Sequence, residues 1–252
     1  MIDKHPSLVL YNISNNIYIF DKIHPLLFVI STPYNDREQA VKGTLLMKTT
    51  EKTPPWGCVV LAAGLGKRFD GDKLHAEFRG QPLYERAFAA VPESASAVAV
   101  VSGDAEILAA AEARGYRSVR NDEPEKGVSR SIALGLDALE REGCRAALFL
   151  VADQPLLRKE TVQRVVDAGL SSPGSLAAPK RANGELGNPC FFPAEYFDEL
   201  RSLHGDRGGR RVISAHSEAL VTVAADDAEL EDTDNREELI RLKEADAGHT
   251  II

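Results

Sequence analysis

The sequence predicts a three-layer α/β protein built on a mainly parallel sheet, because short apolar runs alternate with helix-like stretches from Trp56 onward. The runs are continuously apolar, as suits strands covered on both faces. Three segments rich in glycine, charge or serine fall at the predicted carboxyl ends of strands, where such sheets bind ligands. At 252 residues the chain is long enough for one full-sized core plus an appendage.

The elements follow in order. Gly57 to Ala63 is an apolar run ending in glycine, and Pro82 to Val91 reads as a helix with proline in its first turn. Ala97 to Val101 is the next strand. Asp104 then caps an alanine-rich helix that reaches Arg114 and stops at Gly115. Ile132, Leu136 and Leu139 share one face of a helix over Ser129 to Glu142. Ala146 to Ala152 is the strongest strand, followed by a helix at Thr161 to Ala168 and a strand at Ser175 to Pro179. Beyond Leu186 the pattern changes: a strand over Pro189 to Phe192, helices near 194–203 and 207–216, a strand at 219–223 and a last helix at 235–244.

The net charge of −8 and pI near 5.4 exclude a general nucleic-acid binder and allow a polyanion only in a local basic pocket. Cys58, Cys144 and Cys190 are odd in number with no short spacing. They imply neither a disulfide framework nor a zinc cluster, and point to a reducing cytoplasm. No apolar run approaches the roughly 18 residues that span a bilayer, so no membrane role is expected.

Residues 1–46 differ in composition, with one alanine and six isoleucines against 31 alanines and six isoleucines in residues 47–252. A signal peptide is rejected, because the apolar run Pro25 to Ile30 is short and lacks a cleavage site. Asn16 to Ile23 alternates like a strand and could belong to a docking element. We favour a start assigned too early, with Met47 the working start. Residues 1–54 are then expected to order poorly and carry no chemistry, leaving one domain at 55–246 and a tail at 247–252.

The first chemical segment is the loop from Leu61 through Ala62, Ala63, Gly64 and Gly66 to Lys73. Small residues after a buried strand let N–H groups approach a phosphate chain, and Lys67, Arg68 and Lys73 add three cations. Phe69 stands where a dinucleotide fingerprint needs its third glycine, and no P-loop ending follows. The second segment is Asp153-Gln-Pro155, whose carboxylate suits Mg²⁺ better than a helix cap. The third, Gly127-Val-Ser129-Arg-Ser131, opens a helix whose free N–H groups suit an anion or a base edge; a plain serine cap is the ordinary alternative.

Leu61-Ala-Ala-Gly-x-Gly-x-Arg68 with Lys73, then Gly80-x-Pro82-Leu83, resembles the opening of the MobA/IspD-like nucleotidyltransferases. Further matches follow in order: Val101-x-Gly103, Asn121 with Gly127-x-Ser129-x-Ser131, Asp153-Gln-Pro155, Gly187-Asn188-Pro189, Gly205-Asp206-x-Gly208-Gly209-Arg210 and Asp232-Thr-Asp234. The resemblance is strongest to the molybdenum cofactor cytidylyltransferase (MocA) branch and covers residues 56–242. Phe69-Asp70 departs from the usual methionine-glycine, and Arg130 from a small or apolar residue.

This resemblance implies a Rossmann-like nucleotidyltransferase fold, CTP as donor with Mg²⁺, and molybdopterin as acceptor. Lys73, Arg68 and Asp153 would be catalytic, with Asp153 holding the metal and Asp232 the candidate second ligand. Asp206 and Asp234 are weighed beside Asp232, against roles as helix caps. Ser102, Gly103, Asn121, Gly127, Ser129 and Ser131 would line the nucleoside, and Gly187, Asn188, Pro189 and Arg210 the acceptor. A molybdenum hydroxylase client is the implied protein partner. The alternatives are GTP as donor, a sugar or polyol phosphate as acceptor, or a non-catalytic cofactor carrier.

Overall fold

The structure is a computed structural model that describes residues 8–13, 16–21, 27–31, 54–64, 69 and 73–249. It divides into two units, Met1–Thr53 and Pro54–Ile252. In the first, β1 (Leu8–Ile13), β2 (Asn16–Asp21) and β3 (Leu27–Ser31) form an antiparallel meander, with Ile19 opposite both Leu10 and Phe28. The strand β2 falls within the alternating stretch. Met47 lies outside the described residues.

The second unit runs β4 (Trp56–Leu61), a short turn of helix at Lys73–His75, a hairpin of β5 (Glu77–Phe78) and β6 (Gln81–Pro82), then α1 (Leu83–Ala89), β7 (Ala97–Ser102), α2 (Ala105–Ala113) and β8 (Arg117–Arg120). It continues through α3 (Val128–Arg141), β9 (Ala146–Val151), α4 (Lys159–Gly169), β10 (Leu176–Lys180) and β11 (Cys190–Pro193). It ends with α5 (Phe197–Arg201), α6 (Arg210–Ala215), β12 (Leu220–Ala224) and α7 (Arg236–His249). Seven strands form one sheet in the order β12-β10-β11-β9-β4-β7-β8, and β11 alone runs antiparallel to its neighbours.

Two apolar layers cover this sheet because its strand residues alternate in direction. Cys58 and Val60 of β4 join Leu148 and Leu150 of β9 against α1, α2 and α4, while Val59 and Phe149 face α3, α5 and α6. Both faces are dry, which explains why β4 and β9 read as unbroken apolar runs. The helix α3 lies tight on β4: a Cβ at Gly135 would stand 2.4 Å from Val59 Cγ1. Against the sequence expectation, α3 begins at Val128 with Gly127 in the cap position, so Ser129 lies inside the helix. The helices α5 and α6 are shorter than expected, and β8 and the β5–β6 hairpin were not anticipated.

Strand order sets the position of the site. From β4 the chain moves to β7 and β8 on one side, then returns to β9 on the other, so a crevice opens above the carboxyl ends of β4 and β9. There Leu61 pairs with both Val101 and Val151. Ala62–Gly64, Gly103 and Asp153 consequently leave the sheet at one rim.

Candidate active site

A cleft of about 410 Å³ opens at this rim, lined by Ala63, Gly64, Lys73, Gly127, Ser131 and Asp153 among others. Lys73 Nζ donates to Asp153 Oδ2 at 2.7 Å and lies 3.5 Å from Asp234 Oδ1. The lysine side chain is 13% exposed and that of Asp153 26%, so the pair is half-sheltered yet reachable from the cleft. Arg68 and Gly66 lie outside the described residues. Between them and Lys73, Phe69 is buried with Phe78, Leu83 and Leu239, and the Arg236 guanidinium stands over its ring at 5.4 Å. The departure from methionine therefore still supplies an apolar anchor, which ties this loop to α7.

A second acid approaches Asp153. Asp232 Oδ1 accepts from the buried Gln154 amide at 2.9 Å, and the same amide donates to Leu230 O. Asp232 is exposed as a residue, but loss of solvent around its carboxyl, with the Asp153 carboxylate beside it, pushes its pKa up to about 6. A divalent cation held by Asp153 and Asp232 would relieve the repulsion that raises the Asp232 pKa, although among the described residues no three acids, histidines or cysteines gather at one metal position. Gln154 Oε1 is buried beside them and has no hydrogen-bond partner among the described residues. Neither Asp232 nor Asp234 caps α7: Asn235 does, its Oδ1 accepting from Glu238 N at 2.9 Å and its amide donating to Glu238 Oε1 at 2.7 Å. Asp206 does not cap α6 either, but lines the cleft.

The predicted nucleoside residues divide into lining and framework. Ala62, Ala63, Gly64, Ser102 and Gly103 border an adjoining 300 Å³ hollow with His75 and Asp104. Ser102 Oγ donates to Ala62 O at 2.8 Å and accepts from Asp104 N at 3.1 Å, tying together the loops after β4 and β7. Asn121 is buried, with its amide on Ser131 Oγ at 3.0 Å. Ser129 is buried too, and its N–H reaches Gly205 O at 3.2 Å. These bonds tie Ser102, Asn121 and Ser129 into the frame around the cleft.

Asp104 caps α2, as the sequence predicts, by accepting from Glu106 N and Ile107 N, and its other oxygen meets His75 Nε2 at 2.9 Å. Partial burial pushes its pKa up, but the His75 contact and the two N–H groups outweigh this and hold it below the usual carboxylate value. A depressed pKa contributes stability above the unfolded value near 3.8 that is lost as pH falls through the folded value. Asp104→Ala should cost about 1 kcal/mol at pH 7, the usual value of such a cap. The gap to the wild type should narrow below pH 4 in a thermal-denaturation series, and a gap independent of pH would contradict this assignment.

On the β11 side a second chamber of about 410 Å³ shares Leu61, Val128, Val151 and Asp206 with the cleft. Asn188, Cys190, Arg207, Arg210 and Arg211 line it over an apolar floor of Ile132, Phe149 and Phe192. Of the predicted acceptor residues, Asn188 and Arg210 reach this chamber. Gly187 instead packs on Leu230, where a Cβ would stand 2.8 Å from Cδ1, and Pro189 follows Asn188 through a cis peptide bond. Gly127 forms the seam between α3 and the Gly205–Asp206 segment: its φ is +82°, and a Cβ there would stand 2.3 Å from Gly205 C. The sequence reading missed Thr233 and the sharing of Asp206 by both chambers. All three cysteines are buried, and burial lifts the Cys58 and Cys190 thiols to about 12, far from reactivity.

A glycine-bearing loop after the central strand, a cation and acids at the switch point, and an adjoining arginine-lined chamber come together at one rim of this sheet. The chain belongs to the MobA-like NTP transferase domain family, whose model matches residues 58–220. It is 30% identical over 123 residues to purine catabolism protein PucB of Bacillus subtilis, covering 48% of this chain and 58% of that protein. It is 32% identical over 131 residues to a probable molybdenum cofactor guanylyltransferase of Aquifex aeolicus, covering 52% of this chain and 61% of that one. The match thus spans about three-fifths of each of these two relatives. Rv0371c of Mycobacterium tuberculosis H37Rv shares the fold at a TM-score of 0.63 and 22% identity, over 76% of this chain and 99% of its own. Among the described residues no helix is long and apolar enough to cross a membrane.

Proposed function

We propose that this protein transfers a cytidylyl group from CTP to the terminal phosphate of molybdopterin, releasing pyrophosphate in a Mg²⁺-dependent reaction. The observation that carries this reading is the Lys73–Asp153 pair, 2.7 Å apart in a cleft that continues into a chamber bearing Arg207, Arg210 and Arg211. Two anionic substrates must meet in such a reaction, and the residues offer cations on each side of the meeting point.

The acceptor's phosphate oxygen attacks the α-phosphorus and forms the new P–O bond. The bond from that phosphorus to the α–β bridging oxygen breaks, and pyrophosphate leaves with the electron pair. The attacking phosphate is already ionised at neutral pH, so no general base is required. Lys73 exchanges Asp153 for a phosphate oxygen of the incoming nucleotide and opposes the charge that grows there. Gly64 and its neighbours allow close approach of the phosphates, with Arg68 a further cation for them. Asp153 would hold Mg²⁺ with Asp232 beside it. The bound ion supplies charge neutralisation along the triphosphate and on the leaving pyrophosphate. Gly103 and Ser131 would border the nucleoside, and Asn188 and Arg210 the acceptor.

A second reading takes GTP as donor, which the name of the Aquifex relative favours. A cytoplasmic location and a molybdenum hydroxylase client belong to the same proposal. The test is Mg²⁺-dependent pyrophosphate release from each of the four ribonucleoside triphosphates, with and without molybdate-loaded molybdopterin. Release from CTP alone, and only with the pterin, is the expected result. Release from GTP instead would support the second reading, and release from none of the four would defeat both.

A further inference from the structure

Residues 232–234 contact the catalytic rim at three successive positions. Asp232 takes the Gln154 amide, Asp234 stands 3.5 Å from Lys73 Nζ, and Thr233 lies between them, fully buried. Thr233 N and Thr233 Oγ1 both donate to the main-chain carbonyl of Asp153, each at 3.0 Å. That carbonyl belongs to the residue whose carboxylate faces the cleft, at the point where β9 has ended and regular sheet pairing no longer fixes the chain. Either hydrogen bond alone would satisfy the oxygen; the pair restricts the peptide in two directions.

We infer that Thr233 is the positioning residue for Asp153: its hydroxyl sets the height and tilt of the Asp153 peptide, and through it where the carboxylate meets the metal–nucleotide complex. Thr233 touches neither metal nor substrate. The inference rests on the functional reading above, which makes Asp153 the metal-holding acid. The geometry links residues 230–233 to the acid without an added ligand, since Gln154 donates to Leu230 and Asp232 while Thr233 donates back to Asp153.

The experiment compares the full-length wild type with Thr233→Val and Thr233→Ser. It counts Mn²⁺ bound in the presence of CTP, and separately GTP, by the loss of the free-ion paramagnetic resonance signal, and records thermal unfolding alongside. Valine keeps the shape and the backbone N–H bond but deletes the hydroxyl bond. It should weaken nucleotide-dependent Mn²⁺ binding about tenfold, the lower end for residues that orient a metal's ligand, while serine stays within about twofold of wild type. A purely structural role would lower the unfolding temperature of the valine variant and leave Mn²⁺ binding unmoved, which would overturn the inference. So would a serine variant as weak as valine. If the valine variant does not fold, Thr233→Ala takes its place; failure of both to fold, with serine folded, would assign Thr233 to stability alone and also overturn the inference. Absence of nucleotide-dependent Mn²⁺ binding in the wild type would bring down the functional reading itself, and this inference with it.

Discussion

Replacing Lys73 with methionine should lower kcat/KM for pyrophosphate release by about 10²–10³-fold, the usual effect of deleting one positioned donor for developing charge. The site offers the phosphates one described cation on the β4 side of the cleft, since Arg68 lies outside the described residues. Methionine keeps the length and apolar body of the side chain, so packing around the helical turn at Lys73–His75 survives. The folding cost should stay within about 1 kcal/mol, because the ion pair it removes remains partly open to water. Steady-state pyrophosphate release and a thermal melt on the same preparation separate the two effects. A folded Lys73→Met variant within tenfold of wild type would remove Lys73 from the reaction.

The second large effect belongs to the seam. Gly127→Ala should destabilise the protein by about 3 kcal/mol and lower the unfolding temperature by roughly 6–12 °C. Its φ of +82° with ψ of −178° is a backbone state that L residues avoid, and the new Cβ would stand 2.3 Å from the Gly205 carbonyl carbon and 2.5 Å from its oxygen. Main chain, unlike a flexible side chain, cannot swing aside, so the segment carrying Gly205 and Asp206 must retreat from α3. Because Asp206 lines both chambers, KM should rise for donor and acceptor together. Gly143→Ala is the control. It has a similar φ of +79° but open space around its Cβ, and should show the backbone strain without the rise in KM. Equal behaviour of the two variants would mean the seam has no role in substrate binding.

The parts of the site legible in the sequence were those written locally. An apolar run followed by small residues and Lys73, and another followed at once by Asp153, mark strand ends with chemistry beyond them, and the parallel order brings those ends together. What was not legible depends on distant partners. Thr233 and Asp153 are 80 residues apart, and no local pattern announces that a buried threonine will clasp a main-chain carbonyl. Ser102 shows the same dependence on distant partners: only with β4 placed beside it does its hydroxyl find Ala62 O. The strand β8 escaped because Arg-Ser-Val-Arg has a single apolar residue, as suits a sheet edge whose charges discourage further pairing. The cap of α7 is written locally, in Asn235 and Glu238 three apart.

The reversed strand β11 has a consequence for how such a protein can diversify. Lys73 and Asp153 hang on chain that leaves β4 and β9 at the rim, whereas Asn188 and Cys190 sit on chain that enters β11 there. The feeding segment departs from β10 and folds back through the Lys180–Leu186 bridge, so its length can change without shifting the Cys190–Phe149 register that locks β11 to β9. Under the proposed function, the donor residues Lys73 and Asp153 and the acceptor residue Asn188 are therefore mounted on oppositely directed supports. On that reading, a lineage can alter the acceptor side through this turn and the arginines at 207–211, while Lys73 and Asp153 keep their places on the other strands.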